Sequence, residues 1–291
     1  MMVPPSARLT KSVRRLLMGW LLLTFALGTT LAEPTPPSRD HGWQLIQRYQ
    51  FAQAQRQFTG GRGENADPQQ RDLRLGTALA TLNNLALKSH DREHSLAELQ
   101  SLWDTRGGSP DQAGLWAGYL LGRWSQNYTS PIEFDQALDW FQHTAVAGVD
   151  AYIAQLARLK VTGLWLYAPL ANNPDIATRL SEARAAGSAI HDRGLRISYL
   201  LLLIDGLLLH QADHHEVLAR LEEVWALDIP ETKPRAKTLC QLGTLSAMTG
   251  HSEQAIHYYR QFLREYPISI RSQLVRDRLA ELITTTDGAQ P

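Results

Sequence analysis

The sequence predicts an all-α protein, and three observations support that prediction. Between breaks rich in glycine, proline and polar residues, apolar residues recur mostly with the period of an α-helix. No run alternates apolar and polar residues between hairpin turns, so the expected strand content is near zero. The segment from Ser198 to Leu208 is almost entirely apolar and must be deeply buried, but at 11 residues it is too short to cross a membrane.

The breaks divide the chain into helical segments. Polar loops are expected at residues 59–70 and 104–111, and a further break at 229–234 separates the last two helical hairpins. At residues 171–175 the sequence predicts a helix start, with Asp175 near the helix N-terminus. Residues 284–291 are expected to form a disordered tail.

Residues 242–267 carry the pattern of two helices that pack closely against each other. Gly243 has no side chain, so a neighbouring helix can approach its backbone, which outweighs the roughly 1 kcal/mol that glycine costs inside a helix. Gly250 can adopt a positive φ and end the first helix. Ser252 is the expected N-cap of the second helix, because its hydroxyl can accept a hydrogen bond from a free backbone N–H.

The second helix of this segment has one apolar face, and Pro267 ends the helix. The residues of that face stand at positions i, i+4 and i+7, and they are Ala255, Tyr259 and Phe262. Together with Leu242-Gly243, this spacing resembles the tetratricopeptide repeat over about 236–270. Phe262 departs from the family pattern, which more often has alanine at that position.

Two upstream segments resemble further repeats more weakly. Residues 199–230 repeat the glycine-to-proline spacing of the last segment at an offset of 37 residues, although Glu222 replaces the aromatic residue. Residues 113–151 resemble the related Sel-like repeat. There Leu121-Gly122 opens the unit, and the small-residue segment Thr144–Gly148 closes it.

These resemblances imply a right-handed superhelical stack of antiparallel helical hairpins, an α-solenoid, over residues 42–283. One hairpin cannot bury its own apolar face, so neighbouring hairpins must cover it. Leu75-Gly76 suggests one more degenerate unit, and residues 49–58 resemble a lone second helix. The number of hairpins stays open by about one or two, because residues 59–110 and 152–190 match the pattern poorly.

Residues 1–32 have the layout of a secretory signal peptide. Four basic residues precede an apolar stretch at 16–27, and Thr30 and Ala32 offer small residues for cleavage. An uncleaved N-terminal membrane anchor is the alternative. Residues 33–41 form a proline-rich linker. The protein is therefore expected to be exported, periplasmic or secreted in a bacterium, with membrane contact only through an uncleaved N-terminus.

Charge and cysteine content argue against two classes of protein. Without residues 1–32 the chain keeps 25 basic and 29 acidic side chains, a net charge of −4, which argues against sequence-independent nucleic-acid binding. Cys240 is the only cysteine, so no internal disulfide can form. Its apolar neighbours predict a buried, unreactive thiol, with an intermolecular disulfide or a catalytic thiol as the alternatives.

The best candidate for a metal site is a cluster of histidines and carboxylates, namely His210, Asp213, His214, His215 and Glu216. The spacing of His210 and His214 suits two ligands on one helix, but the repeat pattern places a turn between them. Ala219 stands where the zinc-protease pattern needs its second histidine. Solvated turn histidines are the favoured interpretation, with structural metal binding as the alternative.

Two carboxylate pairs and one sequon have simpler explanations than catalysis or modification. Glu222 and Glu223 are adjacent, so they point in different directions on a helix and make a poor acid–base pair. Asp135 and Asp139 share a face, but a position near the helix start, favoured by the helix dipole, explains Asp135. Residues 127–129, Asn-Tyr-Thr, form a glycosylation sequon that matters only in a eukaryotic secretory pathway.

The repeat pattern favours an exported, non-catalytic scaffold that binds other proteins, and no catalytic residue, metal or cofactor is expected. The resemblance implies that the first helices of successive hairpins, around 199–210 and 236–248, line a concave groove for a partner's peptide or helix. An accessory subunit of a cell-envelope export or assembly machine is one alternative. An all-α hydrolase with a metal or carboxylate site is the other.

Overall fold

The computed structural model describes residues 39–59, 68–84, 88–105, 111–230 and 232–287. These residues form thirteen α-helices and contain no strand, which confirms the all-α prediction. The helices are α1 (Arg39–Gln47), α2 (Phe51–Thr59), α3 (Pro68–Leu82), α4 (Ser89–Asp104), α5 (Gln112–Asn127), α6 (Phe134–Ala147), α7 (Tyr152–Tyr167), α8 (Ile176–Gly187), α9 (Arg193–Leu209), α10 (His214–Ala226), α11 (Thr232–Met248), α12 (Ser252–Glu265) and α13 (Ser272–Asp287). The predicted signal segment, 1–32, lies outside the described residues.

The chain divides into two compact units, the first ending at Glu98 and the second beginning at Leu99. The sequence predicted one repeat domain over residues 42–283, without this division. The boundary falls inside α4, where the chain continues as one helix. No glycine, proline or polar break therefore marks it in the sequence.

In the first unit, Phe58 of α2 lies at the centre of a small core. A Cβ added to Gly42 of α1 or to Gly76 of α3 would stand 2.7 Å from the Phe58 ring. Trp43 meets the same ring edge-on, with ring centroids 5.2 Å apart. The predicted lone second helix is therefore α2, which packs against both α1 and α3.

In the second unit, each helix from α5 to α13 packs against the next one along the chain. In addition α5 contacts α7, and α7 contacts α9, so these three first helices lie side by side. The hairpins are α5–α6, α7–α8, α9–α10 and α11–α12. The helix α13 then packs on α12 and shares a smaller core with it and α11.

The last hairpin has the packing that the sequence predicted. A Cβ on Gly243 would stand 2.4 Å from the Tyr259 ring, so the glycine is what allows this ring to lie on α11. The face at i, i+4 and i+7 is buried: Ala255, Tyr259 and Phe262 are each at most 1% exposed. Gly250 has φ of 82° in the connecting turn, also as predicted. The N-cap prediction was wrong by one residue, because α12 begins at Ser252 and His251 occupies the cap position.

Glycines at the two weaker repeat segments differ in their partners. Gly122 faces Phe141 of its own hairpin, in the same way that Gly243 faces Tyr259. A Cβ added to Gly122 would stand 2.8 Å from the Phe141 ring. Gly206 instead faces Leu166 of α7, at 2.7 Å from an added Cβ. Gly206 therefore allows two neighbouring first helices to pack closely. No aromatic residue of α10 is needed to cover it.

Four predicted breaks are shorter in the structure than in the sequence prediction. The helix α1 begins at Arg39, inside the predicted linker 33–41, and α3 begins at Pro68, inside the predicted loop 59–70. The helix α11 begins at Thr232, inside the predicted break at 229–234, because a proline such as Pro234 is tolerated in the first turn, where its missing N–H has no helical acceptor. The helix α13 continues through Asp287, four residues into the predicted tail, and the rest of that tail lies outside the described residues. Among the helices that the structure describes, none is both long and apolar enough to span a membrane.

Candidate binding surface

The first helices of the second unit share one outward surface, opposite the side that packs on the second helices. On α11 its residues are Lys237, Gln241 and Met248, at i, i+4 and i+11, while Leu242 and Gly243 on the other side are buried. The same spacing marks α7, where Lys160 and Tyr167 share the outward side. This surface, called the first-helix face below, comprises Trp116, Arg123, Tyr152, Lys160, Tyr167, Leu201, Asp205, Leu209, Lys237, Gln241 and Met248.

Side-chain contacts tie neighbouring first helices together along this face. The Tyr167 hydroxyl of α7 donates to the Leu202 carbonyl of α9 at 3.1 Å. Lys237 Nζ of α11 lies 2.6 Å from Asp205 Oδ1 of α9. The first contact is part-buried, whereas the ion pair is exposed to solvent and contributes little stability.

Lys160 is half-buried on this face and has no hydrogen-bonding or ion-pair partner among the described residues. Burial, and then the positive charge of Arg123, lower the pKa of Lys160 from 10.5 to about 7. Arg123 bonds to the side chain of Tyr119, and no carboxylate in the described part of the chain pairs with it. A permanent cation and a lysine that is only partly protonated at neutral pH therefore share a partly desolvated position without an anion beside them. Buried charges in proteins are ordinarily paired.

A pocket of about 190 Å³ lies at the N-terminal ends of α5 and α7, on the same side of the unit. Its lining residues are Gln112, Leu115, Trp116, Ala151, Tyr152 and Ile153. Tyr152 is 45% exposed at its rim. Burial, and then the charge of Asp192, raise the pKa of Tyr152, so its hydroxyl stays a hydrogen-bond donor at neutral pH. The pocket adds an aromatic, weakly polar recess to the cationic pair.

Aliphatic side chains are exposed at the C-terminal ends of the first helices. Leu209 at the end of α9 is 61% exposed, and Met248 at the end of α11 is 58% exposed. The first-helix face thus combines aromatic, cationic and aliphatic side chains, which is the mixture that protein interfaces use.

The structure confirms that a turn separates the candidate metal ligands. The helix α9 ends at Leu209, Gln211 has φ of 54°, and α10 begins at His214. His210 Nε2 lies 3.0 Å from the Leu166 carbonyl. Asp213 caps α10 by accepting from the His215 backbone N–H at 3.1 Å. No group of three metal-binding side chains was found in the described ranges.

The acidic residues of α10 hold neighbouring helices instead of forming a site. Both oxygens of Glu216 accept from the Arg184 guanidinium of α8 at 2.7 Å. Glu223 accepts from Arg196 of α9 and from Arg220 of its own helix. Burial raises the pKa of Glu223, but these bonds hold it below its usual value. The sequence missed this network, because Arg196 and Arg184 lie 27 and 32 residues from the glutamates they bind, and only Arg220 is a local neighbour of Glu223.

The remaining sequence candidates have structural roles. Asp135 lies in the first turn of α6 as predicted, and its carboxylate accepts from the Ala171 N–H at 3.1 Å and 3.2 Å. Asp139 and Glu222 are exposed. Cys240 is buried as predicted, and burial raises the pKa of its thiol. The sequon is folded into the end of α5, where Asn127 Nδ2 donates to the Arg123 carbonyl at 2.8 Å.

No model of a known protein family matches the chain, and no characterised protein matches it either.

Proposed function

We propose that this protein is a non-catalytic scaffold of the tetratricopeptide and Sel-like type, which binds a segment of another protein along the first-helix face. The single observation that supports this most is that Arg123 and the partly protonated amine of Lys160 are neighbours on that face, with no carboxylate paired to either among the described residues. In the proposed architecture the hairpins form a right-handed superhelix, and the first-helix face lines its concave side.

The chemistry of the face suggests the chemistry of the partner. An acidic side chain or terminal carboxylate of the partner would relieve the repulsion between Lys160 and Arg123. Aromatic or aliphatic partner residues would fit beside Trp116 and Tyr152, or over Leu209 and Met248. The partner segment is therefore acidic and amphipathic.

The predicted signal at residues 1–32 supports a partner in the cell envelope, either a transient client or a fixed subunit of an export or assembly machine. The hydrolase alternative gains no support from the segment His210–Glu216. Its side chains are divided between two helix ends, and Glu216 is held by Arg184.

A charge reversal tests the proposal. The tagged full-length protein is recovered from its native host, and partners are quantified by mass spectrometry for the wild type and for Arg123→Glu/Lys160→Glu. We expect the double variant to lose a specific set of proteins that the wild type retains. Arg260→Glu/Arg276→Glu, which changes the same charge at exposed positions on α12 and α13, should keep that set.

The pH dependence of binding has a defined sign. Because the pKa of free Lys160 is about 7, an acidic partner must draw a proton onto Lys160 at higher pH. Affinity is expected to fall as the pH rises above about 7. Affinity that is constant across this window, together with unchanged partners in the charge-reversed variant, would contradict the proposal.

A further inference from the structure

The loop between α12 and α13, residues 266–271, exposes two isoleucines almost completely. Ile268 is 97% exposed and Ile270 is 99% exposed, and Leu274 in the first turn of α13 is 47% exposed. Isolated apolar residues are common on protein surfaces, but neighbouring aliphatic side chains at one projecting tip mark a docking site.

Hydrogen bonds hold the loop in this conformation. The Ser269 N–H donates to the Tyr266 carbonyl at 3.1 Å, and the Ser272 N–H donates to the Ser269 carbonyl at 2.9 Å. The Ser272 hydroxyl also donates to the Tyr266 carbonyl at 2.8 Å. The base of the loop is anchored in the core, because the Tyr266 ring lies 5.6 Å from the Phe262 ring between centroids. The exposure of both isoleucines is therefore a fixed property of an ordered turn.

Positive charge surrounds the apolar tip. Arg264 and Arg271 flank the loop, both are exposed, and neither forms an ion pair with any residue that the structure describes. The sequence from Tyr266 to Arg276 contains no acidic residue. Glu265, just before it, lies 3.6 Å from Arg235 Nε of α11. The tip is thus apolar at its end and cationic at its sides.

This geometry favours a lipid surface over a protein partner. A specific protein interface buries about 800 Å² on each partner, and a tip of two or three side chains offers much less. A bilayer accepts protruding apolar side chains without a complementary pocket, and anionic headgroups attract arginine beside them. We propose that the loop 266–271 inserts Ile268 and Ile270 into an anionic membrane surface, with Arg264 and Arg271 contacting its headgroups.

This contact is separate from the scaffold function, which uses the first-helix face of the same unit. It also differs from the membrane contact that the sequence suggested, which was confined to an uncleaved N-terminus. The test must therefore report on the loop itself and not on binding of the whole chain.

An environment-sensitive fluorophore on the loop provides that test. The full chain with Ser269→Cys is labelled with nitrobenzoxadiazole, while the native Cys240 is buried and protected from the reagent. With vesicles of phosphatidylcholine and phosphatidylglycerol we expect a blue shift and a stronger emission. The matched control carries the label at Glu253→Cys, an exposed position at the other end of α12, and should show no shift.

Two further samples complete the experiment. Adding Ile268→Ser/Ile270→Ser to the labelled chain should lower the vesicle partition measured by the loop label at least tenfold, and these exposed positions carry no core contacts whose loss would unfold the protein. Vesicles of phosphatidylcholine alone should bind more weakly. An unshifted loop label in anionic vesicles, a shift that survives the double serine change, or a shift that appears only with a protein partner would overturn the proposal.

Discussion

At the scale of single residues, glycines set how closely the helices approach. A Cβ at Gly243 would overlap the Tyr259 ring, and a Cβ at Gly122 would overlap the Phe141 ring. Both rings are buried and cannot move into solvent. At these two positions glycine lowers the helix propensity, but it allows close packing with an aromatic side chain.

Gly243→Ala is expected to lower the free energy of unfolding by about 1–3 kcal/mol, because the added methyl overpacks the hairpin. Gly163→Ala is the matched control, since its Cβ would meet only the Leu202 side chain at an ordinary 3.7 Å. That change should raise stability by up to about 1 kcal/mol, as alanine favours the helix. Urea denaturation measures both changes; equal effects would contradict this account of the glycines.

Lys160 gives stability a pH dependence with a definite sign. Its pKa in the folded protein is about 7, below its ordinary 10.5, so between these values the unfolded chain binds one more proton. The free energy of unfolding should therefore rise with pH between about 7 and 10.5. The destabilisation caused by the buried charge is greatest below about pH 7. Lys160→Met should raise the free energy of unfolding by about 1–3 kcal/mol at pH 6, with a smaller gain at pH 9.

Thermal unfolding of wild type and variant at both pH values checks this expectation. The exposed Lys233 provides the control, since Lys233→Met should change stability little at either pH. A gain for Lys160→Met that is equal at the two pH values would show that removal of the buried charge is not its cause.

At the scale of helices, ion pairs between helices reinforce the apolar core. Glu223 of α10 joins Arg196 of α9 to Arg220, and its pKa is lowered by these bonds against the effect of burial. A carboxyl group with a lowered pKa contributes stability above its unfolded pKa, and that stability is lost as the pH falls through the folded pKa.

Glu223→Gln should therefore destabilise the protein by about 0.5–1 kcal/mol at pH 7 and have a smaller effect at acid pH, once the pH has fallen through the lowered pKa of the folded carboxyl group. Its neighbour offers a matched control, because Glu222 is exposed and Glu222→Gln should be nearly neutral. Chemical denaturation at the two pH values distinguishes the cases. A loss of equal size at both adjacent positions would point to a general charge effect instead of this network.

The helices were predictable where local rules decide them. The close approach at Gly243, the positive φ at Gly250 and the buried face of α12 follow from periodicity and turn chemistry, and all were expected. The role of Gly206 did not follow, because its partner Leu166 comes from another hairpin 40 residues earlier. A repeat spacing predicts that a position holds a small residue, but it does not identify the side chain that packs against that residue.

At the scale of the whole molecule, the sequence predicted an all-α chain of packed hairpins and missed the division at Glu98 and Leu99. A boundary inside a continuous helix leaves no local signal. The candidate site was predicted only as a pair of helices, 199–210 and 236–248. The cations of α5 and α7 were missed, since what distinguishes Lys160 from an ordinary surface lysine is burial without a partner, which only tertiary structure reveals.

Site-specific photo-crosslinking in the native host tests the central claim most directly. A photoreactive amino acid is placed at Leu201 and at Gln241 on the first-helix face, and at Asp139 and Glu222 on exposed sides of second helices. We predict that both positions on the first-helix face capture the same protein and that both positions on second helices do not. Capture only from the second helices, or no adduct from either position on the first-helix face, would contradict the account.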